Sequence, residues 1–356
     1  MKRWIWLVFL VLVVVGTINS NKFFPQRPSP LVAQQLGDKG DKEAGGQGDK
    51  EDKGQKGDKG DKGIHLPVPR VSPQRLMADV KALNYQRYTE AQGDRARIYL
   101  TQSLKQLGWQ PELQPFEDGV NIFAQHQGTD PEAGAILMAA HYDTVSASPG
   151  ADDNASGVAV VLEVARLLGS RPTRRTLQLA FFDSEELGLL GSRAFVTNKV
   201  HLDNLQGAIV LDMVGFACHT AGCQRYPTGL PIVPPTNKGD FLVVVGDMEH
   251  MPLLNAFQQS ESSSLPPVLT LPVPLKGMLL PDTLRSDHAP FWYQGVGAVL
   301  LTDTANLRTP HYHQPSDTLV TLDRAFFTGV AQIVVNATTK LLESSDCMTE
   351  LPNSSL

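Results

Sequence analysis

Apolar runs separated by amphipathic stretches characterise the chain from about residue 70 onward. Six of the runs predict β-strands: Val120–Gln127, Ala135–Thr144, Thr176–Asp183, Gly207–Val214, Phe241–Gly246 and Ala298–Asp303. Several of them are apolar at consecutive positions, which is typical of strands whose two faces are both covered by helices. The pattern therefore predicts an α/β protein with its sheet between two helical layers.

Stretches with helical periodicity alternate with these strands. They predict helices at Pro73–Leu83, Gly93–Leu107, Ser156–Leu168, Leu190–Asn198, Pro252–Ser262, Ala289–Tyr293 and Asp323–Leu342. In the second of them, Leu100, Leu104 and Leu107 share one face. The alternation predicts a three-layer α/β/α sandwich around a mixed, mostly parallel sheet. We assign residues 70–346 to this single domain and residues 347–356 to a C-terminal tail.

The N-terminal segment predicts export. Lys2 and Arg3 precede an apolar run over residues 4–15, the arrangement of a signal peptide. This run is shorter than the roughly 20 residues of a comfortable membrane span. Ile18 does not fit the small-residue cleavage pattern, so residues 1–20 are either a cleaved signal peptide or a signal anchor. The protein is expected to be secreted or periplasmic, or anchored to a membrane through this segment alone.

Residues 21–69 predict a linker. Over residues 37–63 the sequence consists mainly of Gly, Asp and Lys and contains no large apolar side chain. Such a segment cannot bury enough apolar surface to offset the entropy of ordering, so we expect it to be disordered.

Composition narrows the functional classes. Of 356 residues, 42% are hydrophobic and 19% are charged, which is ordinary for a globular protein, and the formal net charge of −6 argues against nucleic acid as a partner. The three cysteines do not form a disulfide framework or a zinc ribbon. Cys218 and Cys223 are close enough for a local disulfide if the protein is exported; two free thiols are the alternative.

Polar side chains follow several of the predicted strands. His141 and Asp143 end the run AILMAAHYDTV, at the carboxyl end of a strand, where open α/β sheets build their sites. A carboxylate beside an imidazole commonly holds its second nitrogen, as Asp143 could for His141. Asp152 and Asp153 precede the next helix, in PGADDNASG, and either form a turn and helix cap or supply one carboxylate that bridges two metal ions. We take Asp153 rather than Asp152 as the bridging carboxylate.

Further acids and histidines appear later in the chain. Glu185 and Glu186 follow the apolar strand of LQLAFFDSEELGLLGS, where one can bind metal while the other faces the substrate. Asp212 is a lone charge late in the apolar run IVLDMVG, and such a charge is seldom buried without a partner. TPHYHQPSDTL offers His311 and His313, which spacing alone does not separate.

Taken together, these segments resemble the co-catalytic zinc aminopeptidase family, which includes bacterial secreted aminopeptidases, glutamate carboxypeptidases and glutaminyl cyclases. The resemblance covers residues 135–322 through five motifs in order, HYD, GADDNASG, DSEELGLLGS, LDM and YHQPSDTL. It implies a zinc-exopeptidase-like fold that binds two Zn²⁺ per chain. A sixth stretch, SDHAPF, contains Asp287 and His288, for which the resemblance implies a supporting or structural place.

The resemblance also implies individual roles. One zinc would be bound by His141 and Asp212 and the other by Glu186 and His313, which favours His313 over His311. Asp153 would bridge the two, and the Asp152–Asp153 peptide would be strained. The catalytic residues would be Glu185 as general base, Asp143 as the residue that orients the site, and Tyr312 as a support for the tetrahedral intermediate. No separate organic cofactor is implied.

The function implied is that of an exported metalloprotease, a hydrolase that removes the N-terminal residue of peptides with a free amino terminus. A water that bridges the zinc ions would attack the peptide bond with Glu185 as base. Two alternatives remain open. One is a glutaminyl cyclase-like acyltransferase, which uses one zinc, and the other is a non-catalytic ectodomain on the same fold. The Pro- and Gly-rich loop over residues 216–240 is expected to overhang the site.

Overall fold

The structure, a computed structural model, describes residues 67–227, 235–258 and 264–345. The predicted signal segment at residues 1–20, the Gly/Asp/Lys tract at 37–63 and the predicted tail at 347–356 lie outside the described residues. The domain limits at 70 and 346 therefore stay predictions from the sequence.

Eight strands form one sheet in the described part of the chain. They are β1 (Glu112–Phe116), β2 (Gly119–His126), β3 (Ala135–His141), β4 (Thr176–Phe182), β5 (Leu205–Leu211), β6 (Leu242–Asp247), β7 (Val268–Val273) and β8 (Ala298–Thr302). Their order across the sheet is β1-β2-β4-β3-β5-β8-β6-β7. The pairs β4–β3, β3–β5, β5–β8 and β6–β7 are parallel, and the other three are antiparallel. The predicted mixed, mostly parallel sheet is confirmed.

Helices cover both faces of this sheet. They are α1 (Pro73–Leu83), α2 (Glu90–Gln106), α3 (Gly157–Leu168), α4 (Leu190–Thr197), α5 (Lys199–Leu202), α6 (Met251–Asn255), α7 (Ala289–Tyr293) and α8 (Arg324–Glu343). Ile136 and Met138 of β3 join one core cluster with α1, α2, α3, α6 and α8. Leu137 and Ala139 join a second cluster with α4 and α7. Successive strand residues point to opposite faces, so the three-layer architecture is confirmed.

The long helix α8 belongs to the core of the domain. Its length and hydropathy would suit a membrane span, but 67% of its apolar window is buried inside the protein. Phe327, Val330 and Val334 are fully buried in the first core cluster. Burial of each such side chain contributes about 1.5–3 kcal/mol, which accounts for the apolar composition of the helix.

The two strands that the apolar pattern missed, β1 and β7, are the edges of the sheet. Each contains a proline, Pro115 in β1 and Pro272 in β7. Proline cannot donate a ladder hydrogen bond, so it is tolerated at edges, where it weakens the strand pattern in the sequence. Both strands also have fewer buried residues than the central strands, which makes their apolar runs short.

A half-buried acid lies away from the sheet, in a cavity of about 240 Å³ between α1, α2 and α3. Asp79 of α1 accepts a hydrogen bond from the Tyr99 hydroxyl at 2.5 Å. Burial raises the pKa of Asp79 from 3.8 to about 6, against the opposing effect of the Tyr99 hydrogen bond. The folded state therefore favours the neutral carboxyl, and ionisation at higher pH costs stability.

Replacing Asp79 with asparagine should stabilise the protein at pH 7.5 by about 1–3 kcal/mol. Because the folded-state pKa lies above the ordinary value, the penalty in the wild type develops as the pH rises from 3.8 to about 6 and is complete above that. The gain should therefore shrink by more than half at pH 4.5. Urea unfolding at both pH values measures it, with Asp203→Asn, an exposed acid, as the matched control. An equal effect at both pH values would contradict the assignment.

Candidate metal centre

The candidate site lies where four strands end at one edge of the sheet. β4, β3, β5 and β8 are adjacent and parallel, so their carboxyl ends meet. His141 is the last residue of β3, Asp212 follows β5, and Asp183 begins the loop that leads from β4 to Glu185 and Glu186. The convergence expected from the sequence is present.

The segment between β3 and α3 is held in place by a buried arginine. Arg87, which is 2% exposed, donates hydrogen bonds to the carbonyls of Tyr142, Pro149 and Gly150. Gly150 has φ of 61°, and a Cβ there would meet the Asp153 carbonyl at 2.2 Å. Glycine is therefore required to start the loop that carries the acids. The sequence pattern gave no sign of the role of Arg87.

Asp153 faces both of the predicted histidine ligands. Its Oδ1 lies 3.4 Å from His141 Nε2, and its Oδ2 lies 3.2 Å from His313 Nε2. Its backbone N–H donates to Asp317 Oδ2 at 3.0 Å, and the N–H of Asp152 donates to Asp317 Oδ1 at 2.9 Å. Asp317 thus orients the segment with both carboxylate oxygens. It lies in the same YHQPSDTL motif as His313, but the sequence assigned it no role.

The candidate metal ligands form two groups, and Asp153 belongs to the second of them. His141, Glu185 and Asp212 form the first group, and Asp153, Glu186 and His313 form the second, with the candidate ligand atoms of each group within 4.8 Å of one another. His141 Nε2 lies 3.7 Å from Asp212 Oδ1, and His313 Nε2 lies 3.0 Å from Glu186 Oε2. All five predicted metal ligands and the predicted base are therefore brought together.

Asp143 connects the first histidine to the two glutamates. Its Oδ1 lies 3.3 Å from His141 Nδ1 and accepts the Glu185 N–H at 3.1 Å. Its Oδ2 accepts the Glu186 N–H at 3.1 Å. One carboxylate thereby lies beside the imidazole and fixes the backbone of both glutamates, which is the position expected of a residue that orients the site.

The pKa values of the acidic side chains in the two groups indicate that their ionised forms need a nearby positive charge. Burial raises the pKa of Glu185 above its usual range, and burial raises that of Glu186 to about 7. Burial lowers the pKa of His313, but hydrogen bonds to Asp153 and Glu186 outweigh it and raise the value to about 10. Burial and the neighbouring acids therefore favour the protonated forms of Glu185 and Glu186.

The donor set fits zinc. Imidazole nitrogens and carboxylate oxygens are zinc ligands, and tetrahedral bonds of about 2.0–2.1 Å place ligand atoms about 3.3 Å apart. The four His-to-carboxylate separations given above, 3.0 to 3.7 Å, bracket that value. The two groups contain four carboxylates, whose combined charge two divalent cations would neutralise. Glu186 Oε1 is also buried without a hydrogen-bond partner among the described residues.

Several neighbouring residues take structural positions. Asp152 Oδ1 accepts the Gly215 N–H at 2.8 Å, so Asp152 supports the loop and does not join either group. His311 contacts Ser316 Oγ at 2.9 Å and also lies outside both groups. The unusual peptide bond of the segment is the cis bond Asp153–Asn154, one position later than the strained peptide expected from the resemblance.

The SDHAPF stretch also lies near the site. Asp287 is fully buried, and burial raises its pKa to about 7. His288 is fully buried too, contacts the Thr283 carbonyl through Nε2 at 2.7 Å, and has its pKa lowered to about 4 by burial. His288 also packs edge-on against the Trp292 ring. These contacts agree with a supporting position for His288.

A cavity of about 670 Å³ opens beside the two groups. Glu185, Glu186, Asp212, Tyr312 and His313 line one side of it. An apolar part of the remaining lining comes from β6, β7, β8 and the segment before α7, namely Val243, Val245, Leu269, Leu271, Leu280, Leu284 and Leu300. The size is typical of a small-molecule or peptide-end pocket.

The loop after Asp212 contributes to this cavity, as the sequence predicts. Gln224, Tyr226, Pro227 and Pro235 belong to the lining, whereas residues 228–234 lie outside the described part of the chain. Cys218 and Cys223 form a disulfide in the same loop, which decides between the two alternatives for these cysteines. Gln224 is held by Arg308, whose Nε donates to its Oε1 at 2.8 Å.

A three-layer α/β/α sandwich with two adjacent groups of histidine and carboxylate side chains at one edge of its sheet can hold two metal ions. The chain belongs to Peptidase family M28, whose family model matches residues 121–338. The family is zinc-dependent, so the expected class of enzyme, a metallopeptidase, is confirmed.

Individual relatives agree with this membership. The chain is 33% identical over 244 residues to the uncharacterized protein YfbL of Escherichia coli, a match that covers 63% of this chain and 71% of YfbL. It is 30% identical over 226 residues to the probable lipoprotein aminopeptidase LpqL of Mycobacterium tuberculosis, covering 57% of this chain and 42% of LpqL. The LapA aminopeptidase of Legionella pneumophila shares the fold, with a TM-score of 0.59 at 18% identity over 78% of this chain and 73% of LapA.

Proposed function

We propose that the protein is a two-zinc aminopeptidase that removes an apolar residue from the free N-terminus of a peptide. The observation that carries the proposal is the position of Asp153, with one carboxylate oxygen toward each histidine. A single-metal site would need only one of these contacts. Family membership and the aminopeptidase named among the relatives support the reaction class.

His141, Asp153 and Asp212 would hold one zinc, and Asp153, Glu186 and His313 the other. Three protein ligands per ion match catalytic zinc sites, which keep a further position for water or substrate. When bound, zinc supplies Lewis acidity, polarising the scissile carbonyl and lowering the pKa of water. Glu185 is then the carboxylate left over in the first group, close to the ligands and bound to none of them.

Glu185 acts as general base and then as general acid. It takes a proton from the attacking water and delivers it to the leaving amine, so one proton is moved and none is consumed. Asp143 holds its backbone in place. Tyr312, whose ring stacks on His313 with centroids 3.8 Å apart, donates its hydroxyl hydrogen to the developing oxyanion.

The apolar lining determines the side chain that the enzyme accepts. Val243, Leu271 and Leu300 offer no polar partner, so a charged side chain packed against these three residues would lose several kcal/mol of solvation. Each buried methylene group contributes about 0.8 kcal/mol. Peptides that begin with leucine, methionine or phenylalanine are therefore the substrates that the cavity fits.

The apolar segment at residues 4–15 supports export as the setting of this activity. LpqL is named as a lipoprotein, which is consistent with a membrane-associated or exported relative. We propose that residues 1–20 direct the protein out of the cytoplasm and that any attachment to a membrane is through this segment.

A panel of aminoacyl fluorogenic substrates tests the function. Leucyl substrates should be cleaved with kcat/KM about 10- to 100-fold above alanyl, aspartyl and lysyl substrates. A chelator should abolish cleavage, and added zinc should restore it. N-acetyl-leucyl substrates serve as the control, because they lack the free amine. Equal cleavage of acetylated and free substrates would refute an aminopeptidase, and cyclisation of N-terminal glutamine with one bound zinc would favour a glutaminyl cyclase.

A further inference from the structure

We propose that Arg285 binds the free carboxylate of the residue that follows the scissile bond, so that dipeptides are the preferred substrates. The proposal rests on the aminopeptidase activity proposed above and adds the length and charge of its substrate. Arg285 lies in the segment between β7 and α7 and lines the same cavity as Glu185, Tyr312 and His313.

The guanidinium of Arg285 has only neutral partners in the described residues. One terminal nitrogen donates to Asn306 Oδ1 at 3.2 Å, and the other donates to the Tyr312 hydroxyl oxygen at 3.3 Å. No carboxylate of the described chain lies within 4.0 Å of it. A guanidinium has five N–H donors, so donors remain for a ligand. The side chain is also exposed, and a substrate can reach it.

Arg285 differs in charge from the other ionised side chains that line the cavity. The described lining includes five acids, Asp153, Glu185, Glu186, Asp212 and Asp282, while Arg285 is its only lysine or arginine. An anionic substrate group is repelled by the acids that metal does not neutralise and is attracted to Arg285. The planar guanidinium matches a carboxylate in a two-point contact, which a lysine does not reproduce.

Distance specifies which carboxylate would bind. The guanidinium lies 3.3 Å from the Tyr312 hydroxyl, the group proposed to contact the scissile carbonyl oxygen. One residue of extended chain spans about 3.3–3.8 Å. The carboxylate of the residue directly after the scissile bond is therefore within reach, whereas in a tripeptide the terminal carboxylate lies a further residue away. Asn306 Oδ1 accepts one of the guanidinium hydrogen bonds and so restrains the Arg285 side chain.

The test compares leucyl-leucine, leucyl-leucinamide and leucyl-leucyl-leucine, which share the first residue and the free amine. The wild-type enzyme should cleave the dipeptide with kcat/KM about 10- to 100-fold above its amide, the range expected for a hydrogen bond to a charged group. Arg285→Ala should remove this preference by slowing dipeptide cleavage and should leave the amide within about 3-fold. Arg285→Lys should restore it only in part.

Arg324→Ala is the matched control, since Arg324 is an exposed arginine of α8 outside the cavity lining. Equal losses on all three substrates in Arg285→Ala would overturn the proposal and make Arg285 a residue that positions Tyr312. Equal rates for dipeptide and amide in the wild type would overturn it as well.

Calorimetric binding of the dipeptide and the amide separates failure of this proposal from failure of the proposed function. Tighter binding of the dipeptide that Arg285→Ala abolishes supports carboxylate recognition even if no bond is cleaved, and equal binding refutes it.

Discussion

Glu185→Gln is expected to lower kcat by about 10²- to 10⁴-fold while the enzyme keeps two zinc ions. Glutamine has nearly the shape of glutamate but cannot accept a proton from water. The backbone of Glu185 is held by Asp143, and its N–H donates to Asp143 Oδ1 at 3.1 Å, so the substitution leaves the loop in place. The loss should therefore be in the chemical step, with KM little changed.

Steady-state kinetics and metal analysis of the same preparation measure this effect. Glu117→Gln, an exposed glutamate in the turn between β1 and β2, has the same change of charge and should behave as the wild type. Glu186→Gln provides a second comparison, because Glu186 is proposed to bind metal and its loss should lower zinc content. Near-normal turnover in Glu185→Gln would remove Glu185 from the role of base. Loss of one zinc would instead make it a ligand.

Asp153→Ala is expected to lose both zinc ions and all measurable activity. The two oxygens of this carboxylate lie 3.4 Å from His141 Nε2 and 3.2 Å from His313 Nε2, so both sites lose a ligand at once. His313→Ala removes a ligand from the second group alone and should keep about one zinc per chain. The difference between the two variants identifies Asp153 as the bridge.

Zinc content by mass spectrometry and far-UV circular dichroism test this prediction together. The fold should persist in Asp153→Ala, because Asp317 binds the backbone N–H of residue 153 and not its side chain. Asp203→Ala, at an exposed position, is the control for charge. One zinc retained in Asp153→Ala, with activity, would show that Asp153 serves a single ion.

The contrast between Asp152 and Asp153 shows why neighbouring acids in one loop take different positions. The Asp153 carboxylate faces the two histidines, whereas that of Asp152 accepts the Gly215 N–H at 2.8 Å and faces Asp303. Burial and the nearby Asp303 charge raise the pKa of Asp152, so this acid tends to hold a proton. Asp152 also lies outside both groups of candidate ligands, which agrees with the choice of Asp153 from the sequence.

The central strands and the location of the site could be predicted from the sequence, for one physical reason. Strands buried on both faces must be apolar at nearly every position, so β3 and β4 stand out as runs that end in charged residues. Parallel neighbours end at the same edge, so those charged residues had to meet. The edge strands β1 and β7 lacked this signal, because an edge tolerates proline and exposure.

The tertiary structure alone decided which atoms face one another. Residue types, spacing and the family resemblance selected Asp153, Glu185 and His313 as candidates, but the support from Arg87 and Asp317 depends on contacts between segments 55 to 165 residues apart. The cavity beside Arg285 is likewise formed by β6, β7 and β8 together with the loop after Asp212. A sequence records local preference and periodicity, whereas hydrogen bonds between distant segments depend on the packed backbone. The pairing of each oxygen and nitrogen therefore appears only in the folded chain.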